Sequence, residues 1–333
     1  YTAVNIPYSS LAAVMTEDSE QRNLIGTSRS IGMNLGMIIV NSCSAGLALF
    51  FSGSGAEVAN GHGYMMTAVV YGILSIPLFL AVFFTSKENI LPVHDMRKVS
   101  IKDTMKNVVG NKYLMLIFVS FLLQMTAFMG RIAITTYYVI YCLGAFTLIA
   151  LIMTIPSIGG VIGSCFIAKL AKKFGKRNML MLTFIGQGVG LLVVYFADFT
   201  NMNQIMAGHW IYGIFNCGFP LTLAMVADSV DYQELKTGVR TDGTAYATYG
   251  LATKIGNAIG SAIGVLIIAG FGYVANAEQT PAVKGGINLT VNLIPAILFF
   301  IAALVLLLWR KTDKDFDDIR AQLRAEKASR TVE

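Results

Sequence analysis

Long apolar runs separated by short polar intervals dominate this chain and limit the folds that it can adopt. Each run is about as long as the roughly 20 residues that an α-helix needs to cross the hydrocarbon core of a bilayer. The runs cover residues 30–51, 64–84, 113–141, 146–168, 178–197, 203–226, 244–274 and 287–309, after a shorter apolar segment at 1–15. Backbone groups inside a bilayer must be hydrogen-bonded within the protein, so the sequence predicts an all-α polytopic membrane protein.

The charged residues indicate the same class of protein. Only 13% of the residues are charged and 55% are hydrophobic, whereas about 25% charged residues is usual in soluble domains. The net charge of +6 does not indicate nucleic-acid binding, because the Lys and Arg residues lie between the apolar runs. By the positive-inside rule, the intervals 87–112 and 169–177 and the tail from residue 310 are predicted to be cytoplasmic, with the loops 52–62 and 275–286 outside.

Catalytic and metal-binding motifs are absent from the sequence. The three histidines are far apart, the four cysteines occur singly in apolar segments, and there is no HExxH, P-loop or GxSxG motif. We therefore expect no enzymatic activity, no metal site and no cofactor other than a coupling ion. The isolated cysteines are interpreted as small packing residues.

The stretch from residue 227 to residue 264 is the most unusual part of the chain. An interval containing Asp228, Asp231 and Glu234, predicted to be a loop, precedes a long helical pattern that carries one ionisable residue, Lys254. An ionisable side chain within a membrane span is by default a candidate functional residue whose partner must be sought. Lys254 is therefore the first candidate for a functional role.

The same predicted helix carries two periodic patterns. Gly256, Gly260 and Gly264 follow one another at four-residue steps, and this small-xxx-small pattern predicts close packing against a neighbouring helix. Polar residues also recur at three- and four-residue steps, which predicts a polar stripe along the helix. The stripe consists of Tyr246, Tyr249, Thr253, Asn257 and Ser261.

Arg131 is the other basic residue placed within a predicted span. Its depth favours a position facing a cavity over a role as an interfacial anchor, although a long side chain can also reach the interface. All nineteen acidic residues are assigned to loops, tails or helix ends. Because buried cations need partners, we expect the carboxylates that pair with Arg131 and Lys254, and that bind Na+ or accept H+, on helices preceding Tyr1.

The number of spans predicts the domain organisation. Two whole spans and a partial one precede the polar interval 87–112, and six spans follow it. A transporter with two six-helix halves gives this count if its first three helices and part of the fourth are missing. We expect the end of an N-terminal bundle at 1–86, a cytoplasmic linker at 87–112, a six-helix C-terminal bundle at 113–310 and a cytoplasmic tail at 311–333.

Several stretches of the sequence carry a family resemblance. They are Asn5–Arg22 (NIPYSSLAAVMTEDSEQR), Arg29, Tyr137–Gly144 (YYVIYCLG), Ala227–Tyr246 (ADSVDYQELKTGVRTDGTAY) and Lys254–Gly260 (KIGNAIG). Together they resemble the glycoside–pentoside–hexuronide:cation symporters of the major facilitator superfamily, as an N-terminally truncated fragment. The segment 169–177 (KLAKKFGKR) is similar to a weaker superfamily loop signature but lacks its usual acidic residue. The resemblance implies a complete C-terminal six-helix bundle and the last part of the N-terminal one.

The resemblance also implies roles for individual residues. It implies that Asn5 and Arg29 hydrogen-bond sugar hydroxyls, that Phe219 lines the sugar pocket and that Lys254 links the sugar and cation sites. The hydroxyl of Thr2 is expected to help bind the cation. The best-known family member has an aspartate where this chain has Asn5, which leaves the identity of the sugar open.

These observations predict a secondary active transporter that couples Na+ or H+ to symport of a sugar, glycoside or hexuronide by alternating access. We expect a monomer in the plasma membrane. Arg131 is added to the expected substrate contacts because of its depth, and Asp228, Asp231 and Glu234 are expected to gate the cytoplasmic side. Two alternatives stay open: a carrier of lipids or other amphiphiles on the same fold, and a membrane scaffold that transports nothing.

Overall fold

The computed structural model describes residues 19–53, 59–86, 108–238, 242–275 and 277–332, and it divides the chain into two units, Tyr1–Lys98 and Val99–Glu333. The described residues of the first unit form helices α1 (Ser19–Ser52) and α2 (Gly61–Thr85). The second unit contains α3 (Lys112–Tyr137), α4 (Leu148–Phe174), α5 (Lys176–Tyr195), α6 (Met202–Phe215), α7 (Phe219–Thr237), α8 (Asp242–Gly270), α9 (Pro281–Asn288), α10 (Ile294–Leu306) and α11 (Asp313–Val332). Two π-helical turns, Tyr138–Cys142 and Leu289–Leu293, extend α3 and join α9 to α10.

Eight helical segments of the described chain are long and apolar enough to cross a membrane. They are Leu35–Ser52, Gly61–Thr85, Lys112–Cys142, Leu148–Ile167, Lys176–Tyr195, Met202–Thr237, Gly243–Gly270 and Pro281–Leu306. Many large apolar side chains on these segments are exposed, which suits helices that face lipid. The prediction of an all-α polytopic membrane protein is confirmed, with no β-strand among the residues that the structure describes.

The two described helices of the first unit pack against each other, and side-chain hydrogen bonds join the end of α1 to the start of α2. Asn60 caps α2 by accepting a hydrogen bond from the backbone N–H of Gly63 at 2.9 Å, and the backbone N–H of Asn60 donates to Ser52 Oγ at 3.0 Å. Gly63 lies so close to Ala48 and Ser52 of α1 that a Cβ atom at this position would overlap them. The two helices therefore approach most closely beside the turn.

The interval expected to be a charged loop from residue 227 is mostly helical, so this part of the sequence prediction is wrong. Helix α7 continues through Asp228, Asp231 and Glu234 to Thr237 and ends at Gly238, whose φ of 69° lies in the left-handed region. Glycine adopts this conformation without the steric penalty of a Cβ atom. Asp228 and Asp231 can lie on a helix because basic side chains pair with them.

The predicted span 203–226 consists of two helices. Helix α6 ends at Phe215 and α7 starts at Phe219, with Pro220 in the first turn, where its missing N–H breaks no helical hydrogen bond. A Cβ atom on the intervening Gly218 would lie 2.7 Å from Thr183 Oγ1 of α5. The break is therefore packed against a neighbouring helix and fixes where α7 begins.

Helices α3 and α8 pack closely through the glycines that the sequence pattern singled out. A Cβ atom on Gly256 would lie 2.9 Å from the carbonyl oxygen of Leu122, and one on Gly260 would lie 2.8 Å from the backbone nitrogen of Gly130. Contacts this short require glycine, because a side chain would force the backbones apart. The predicted close packing of this helix is confirmed, and its partner is α3.

The tail from residue 310 forms helix α11, which packs against the end of the second unit. Phe316 and Trp309 are buried, and both rings contact Tyr113 at the start of α3, with ring centres 5.9 and 4.8 Å apart, respectively. The helix starts with a capping box in which Asp315 Oδ2 accepts hydrogen bonds from Thr312 at 2.6 and 2.9 Å. These hydrogen bonds hold the pKa of Asp315 below its ordinary value.

Candidate functional site

Three aromatic side chains from different helices form a cluster in the second unit. The rings of Phe121 on α3 and Tyr249 on α8 stack with their centres 4.2 Å apart. The ring centre of Phe219, the first residue of α7, lies 6.1 Å from that of Tyr249. Phe219 is 46% exposed, whereas Phe121 is buried. The break between α6 and α7 positions Phe219 in this cluster. An exposed aromatic ring on a rigid base can stack against the apolar face of a ligand.

Buried polar atoms without partners lie on the same two helices as the cluster. The Tyr249 hydroxyl and the side-chain oxygens of Asn257 and Gln124 have no hydrogen-bond partner within the described part of the chain. Unpaired buried polar atoms are uncommon in folded proteins, and they are candidates for contact with a ligand or water. The polar-stripe pattern indicated Tyr249 and Asn257, but no sequence signal distinguished Phe121 or Gln124 from ordinary core residues.

Lys254 lies on α8, and its side chain is exposed at the surface of the second unit. Gly250 and Leu251, one turn earlier, and Ala258, one turn later, are exposed on the same face. The close glycine contact with α3 occupies a different face of this helix. Helix α8 therefore presents Lys254 away from its packed side.

Arg131 lies inside the second unit, where it is 5% exposed. Its guanidinium carbon is 4.4 Å from the centre of the Tyr212 ring on α6. This geometry is a cation–π contact, which is stronger in a desolvated interior than at a surface. The prediction that Arg131 contacts the substrate stays a prediction.

Asp228, in the middle of α7, is the centre of a network of ion pairs. It is paired with Lys176 at the start of α5 and with Arg320 of α11, whose Nη2 is 3.2 Å from Asp228 Oδ1. Asp228 has a side chain only 5% exposed, so its charge requires such partners. Asp231 lies 3.7 Å from Arg320 Nε, and Asp313 Oδ1 lies 3.8 Å from Lys176 Nζ.

The network connects three helices that are distant in the sequence. The backbone N–H of Lys176 donates to Asp313 Oδ2 at 2.9 Å, so this carboxylate also caps α5. Glu234 is buried on α7, and its carbonyl accepts from the backbone N–H of Gly238 at 2.8 Å. The three carboxylates expected to act as a gate thus lie on one helix, and two of them share Arg320.

Three predicted site residues cannot be placed by their side chains. Thr2 and Asn5 lie outside the described residues. Arg29 lies in α1, but its side chain is outside the described part of the structure. Among the predicted residues that it describes, the structure brings Asp228 and Asp231 together at Arg320. By contrast, Arg131, Phe219 and Lys254 lie on three different helices. Among the residues that it describes, no three His, Cys, Asp or Glu side chains are grouped as metal ligands would be.

Comparison with solved structures shows a known fold. A bacterial homolog of the human lysosomal transporter Spinster, in an inward-facing and unoccupied conformation, matches with a TM-score of 0.52. The match covers 90% of this chain and 75% of that chain at 12% sequence identity, so it concerns the fold alone. The described helices therefore form a multi-pass membrane protein with the fold of that structure.

Sequence comparison then identifies the family. The family model of the MFS/sugar transport proteins matches residues 1–313, and the chain belongs to this family. An isoprimeverose transporter of Lactiplantibacillus pentosus is 29% identical over 98% of this chain and 68% of the relative. A glucuronide carrier protein homolog of Escherichia coli (strain K12) is 27% identical over 97% of this chain and 70% of the relative. The expected family is confirmed, and its members are transporters and not enzymes.

Proposed function

We propose that this transporter couples a cation, Na+ or H+, to symport of a sugar, glycoside or hexuronide by alternating access. The observation that carries the proposal is the cluster of Phe121, Phe219 and Tyr249, beside buried polar atoms that lack partners. A sugar has apolar ring faces and many hydroxyls, so it suits a site that offers both aromatic rings and unpaired hydrogen-bonding groups. The names of the isoprimeverose transporter and the glucuronide carrier homolog support the same substrate class.

The Tyr249 hydroxyl gives the first test of the proposed sugar pocket. Its loss in Tyr249→Phe should raise KM for uptake of the transported sugar about tenfold, because a ligand hydrogen bond contributes about 1 to 1.5 kcal/mol. Tyr113→Phe removes a tyrosine hydroxyl at the start of α3, where the ring packs against Trp309, and serves as the matched control. Equal KM values for the two variants would remove Tyr249 from the pocket.

Two residues of the first unit are proposed to contact the sugar. Asn5 offers a donor and an acceptor, and Arg29 offers a planar fork of N–H donors that also suits the carboxylate of a hexuronide. Arg29→Lys keeps the charge but removes the fork, so uptake should fall although the net charge is unchanged. Wild-type uptake by this variant would exclude Arg29 from substrate recognition.

Coupling to the cation is proposed to depend on Lys254, with the hydroxyl of Thr2 as one cation ligand. Coupled transport requires that cation binding change the free energy of sugar binding. In the full-length protein, Lys254→Ala should insert normally into the membrane but lose accumulation driven by a Na+ or H+ gradient. If the cation still increases sugar affinity by the wild-type factor, Lys254 is a packing or anchoring residue.

We propose that Asp228, Asp231 and Glu234 belong to a gate on the cytoplasmic side. The ion pairs of Asp228 and Asp231 support this role, because they join three helices and can form or separate as a unit. A gate predicts that loss of Asp228 changes transport rate more than sugar affinity. Uptake kinetics of Asp228→Asn, which keeps the side-chain shape, would separate these two effects.

The alternative of an amphiphile carrier rests on an apolar groove of about 320 Å³ between α3, α8 and α10. Its walls include Gly130, Gly260 and Pro295 but no charged residue. An amphiphile carrier would not depend on Arg29 or Asn5, whereas a sugar symporter would. Uptake of labelled sugars and of a labelled lipid by the same protein, with Na+ and proton gradients imposed separately, discriminates between them.

A further inference from the structure

Four buried polar side chains form a cluster inside the second unit, apart from the aromatic cluster and the ion-pair network. Arg131 is 5% exposed, and Tyr138, His209 and Tyr212 are each 1% exposed. Tyr138 is the first residue of the π-helical turn that follows α3, and His209 and Tyr212 are three residues apart on α6. Such π-helical turns occur often at functional sites because they displace side chains from the regular helical pattern.

The cluster contains three hydrogen-bond donors that are not used. By distance and angle, Arg131 Nε and the hydroxyls of Tyr138 and Tyr212 have no hydrogen-bond partner among the described residues. The Tyr212 ring covers the face of the guanidinium, and the Tyr212 oxygen also interacts with it as an acceptor. Arg131 Nε and the Tyr212 O–H proton are still left without a partner of good hydrogen-bond geometry. His209 does not serve as an acceptor at Nδ1, because this nitrogen lies 2.8 Å from the carbonyl oxygen of Ile205 and must donate to it.

The cluster is positively charged, and among the described residues no carboxylate forms an ion pair with Arg131. Within the described ranges, the ion pairs of the second unit lie around Asp228 and do not include Arg131. The charge of Arg131 acts instead on Tyr138, Tyr212 and His209. A desolvated cation needs a compensating charge, and three unused donors together favour an anion over a cation or a neutral ligand.

The enclosure of the cluster limits the size of this anion. In this conformation all four side chains are almost completely covered, so only a small ion can lie among them. We propose that Arg131, Tyr138 and Tyr212 form an enclosed binding site for one small monovalent anion of the chloride class. The anion accepts hydrogen bonds from Arg131 Nε–H and the two hydroxyls and neutralises the buried guanidinium. The site does not depend on which sugar or cation the protein carries.

The anion dependence of thermal unfolding tests the proposal on the full-length protein in detergent. Chloride, bromide or nitrate is compared with gluconate, which is too large for the site, at equal ionic strength. We expect the melting temperature to be higher in the small anions by about 3 °C or more, because a ligand that binds only the folded state stabilises it. Equal melting temperatures in all four salts would mean that water alone occupies the cluster, and would overturn the proposal.

Variants assign the effect to this cluster. Arg131→Gln should abolish the difference between chloride and gluconate, and Tyr138→Phe and Tyr212→Phe should each weaken chloride binding about tenfold through loss of one donor to a charged ligand. Tyr249→Phe is the matched control, because it also removes a buried hydroxyl without a partner. It should keep the full chloride effect.

A direct measurement is available if Arg131→Gln does not fold. Anomalous diffraction from wild-type crystals grown in bromide should show a peak within hydrogen-bonding distance of Arg131 Nε. A chloride effect of wild-type size in both tyrosine variants, or bromide peaks only at other positions, would contradict the assignment.

Discussion

The contact between α3 and α8 gives a quantitative prediction, because four glycines of one helix differ in what an added methyl group would meet. A Cβ atom on Gly260 would overlap the carbonyl oxygen of Thr126 and lie 2.8 Å from the backbone nitrogen of Gly130. Ordinary contacts are 3.4–4 Å long. The two backbones must therefore separate by about 0.6 Å or more, which forfeits roughly a quarter to a half of the dispersion attraction across the contact.

The expected cost of Gly260→Ala follows from two opposing effects. Forcing an extra methyl group into a packed contact costs about 1 to 3 kcal/mol, whereas replacing glycine by alanine in a helix favours folding by at most about 1 kcal/mol. The free energy of unfolding should therefore fall by about 1 to 2 kcal/mol, which corresponds to a fall of roughly 3 to 6 °C in melting temperature. Gly256→Ala should behave similarly, since its Cβ would lie 2.9 Å from the carbonyl oxygen of Leu122.

Two other glycines of α8 serve as matched controls. The new methyl group of Gly264→Ala would contact Ile134 Cγ1 at 3.0 Å, and this side chain can move, so the loss should be small. Gly250 has no atom within 4 Å of the added Cβ, and Gly250→Ala should be neutral or slightly stabilising. The melting temperatures of the four purified variants give their order of stability. If Gly260→Ala melts at or above Gly250→Ala, the tight contact is not present in the protein.

Three further predictions concern the ion pairs of Asp228, the start of α11 and the membrane topology. Asp228→Ala should lower the free energy of unfolding by about 2 kcal/mol. This is less than the roughly 3 to 5 kcal/mol expected for a fully buried pair, because the partners of Asp228 are partly exposed. Arg320→Gln should lower it less than Asp228→Ala does, and equal losses for the two variants in denaturant titrations would contradict the central position of Asp228. The capping hydrogen bonds lower the pKa of Asp315 in the folded protein. The ionised Asp315 carboxylate therefore stabilises the fold at pH values above its ordinary pKa of about 3.9, and this stabilisation is lost as the pH falls through the lower pKa of the folded state. Hydrogen exchange of α11 should therefore accelerate on acidification, and Asp315→Asn should remove this pH dependence. In intact cells, an impermeant thiol reagent should label a cysteine placed at Ala56 and not one placed at Lys173; the reverse pattern would invert the predicted topology.

Much of the fold could be predicted from the sequence because the bilayer imposes a simple length requirement. Each apolar run of sufficient length became a helical segment, and the eight complete spans expected from the sequence match the eight found among the described residues. The glycine steps at Gly256 and Gly260 also predicted a close helix contact, because only small residues allow it. These features depend on local patterns that are read directly along the chain.

The end of one helix was predicted wrongly because of its charged residues. The carboxylates after residue 227 indicated a loop, because a charged residue within a span is expensive without a partner. That expectation fails for Asp228, because Lys176 and Arg320, distant in the sequence, pair with it. A pattern within one segment contains no information about such a partner.

Some features of the candidate site could likewise be predicted from the sequence, and others required the tertiary structure. The sequence alone determined the membrane class, the family resemblance and the exceptional character of Lys254 and Arg131, because apolar length and isolated charges are properties of single segments. Only the tertiary structure decided that α3 is the partner of α8, that Phe121 stacks on Tyr249, and that Arg131 is enclosed with Tyr212. These contacts join residues more than 80 positions apart. They depend on the rotation and depth of each helix relative to its neighbours, which side-chain packing fixes and which periodicity within one helix does not specify.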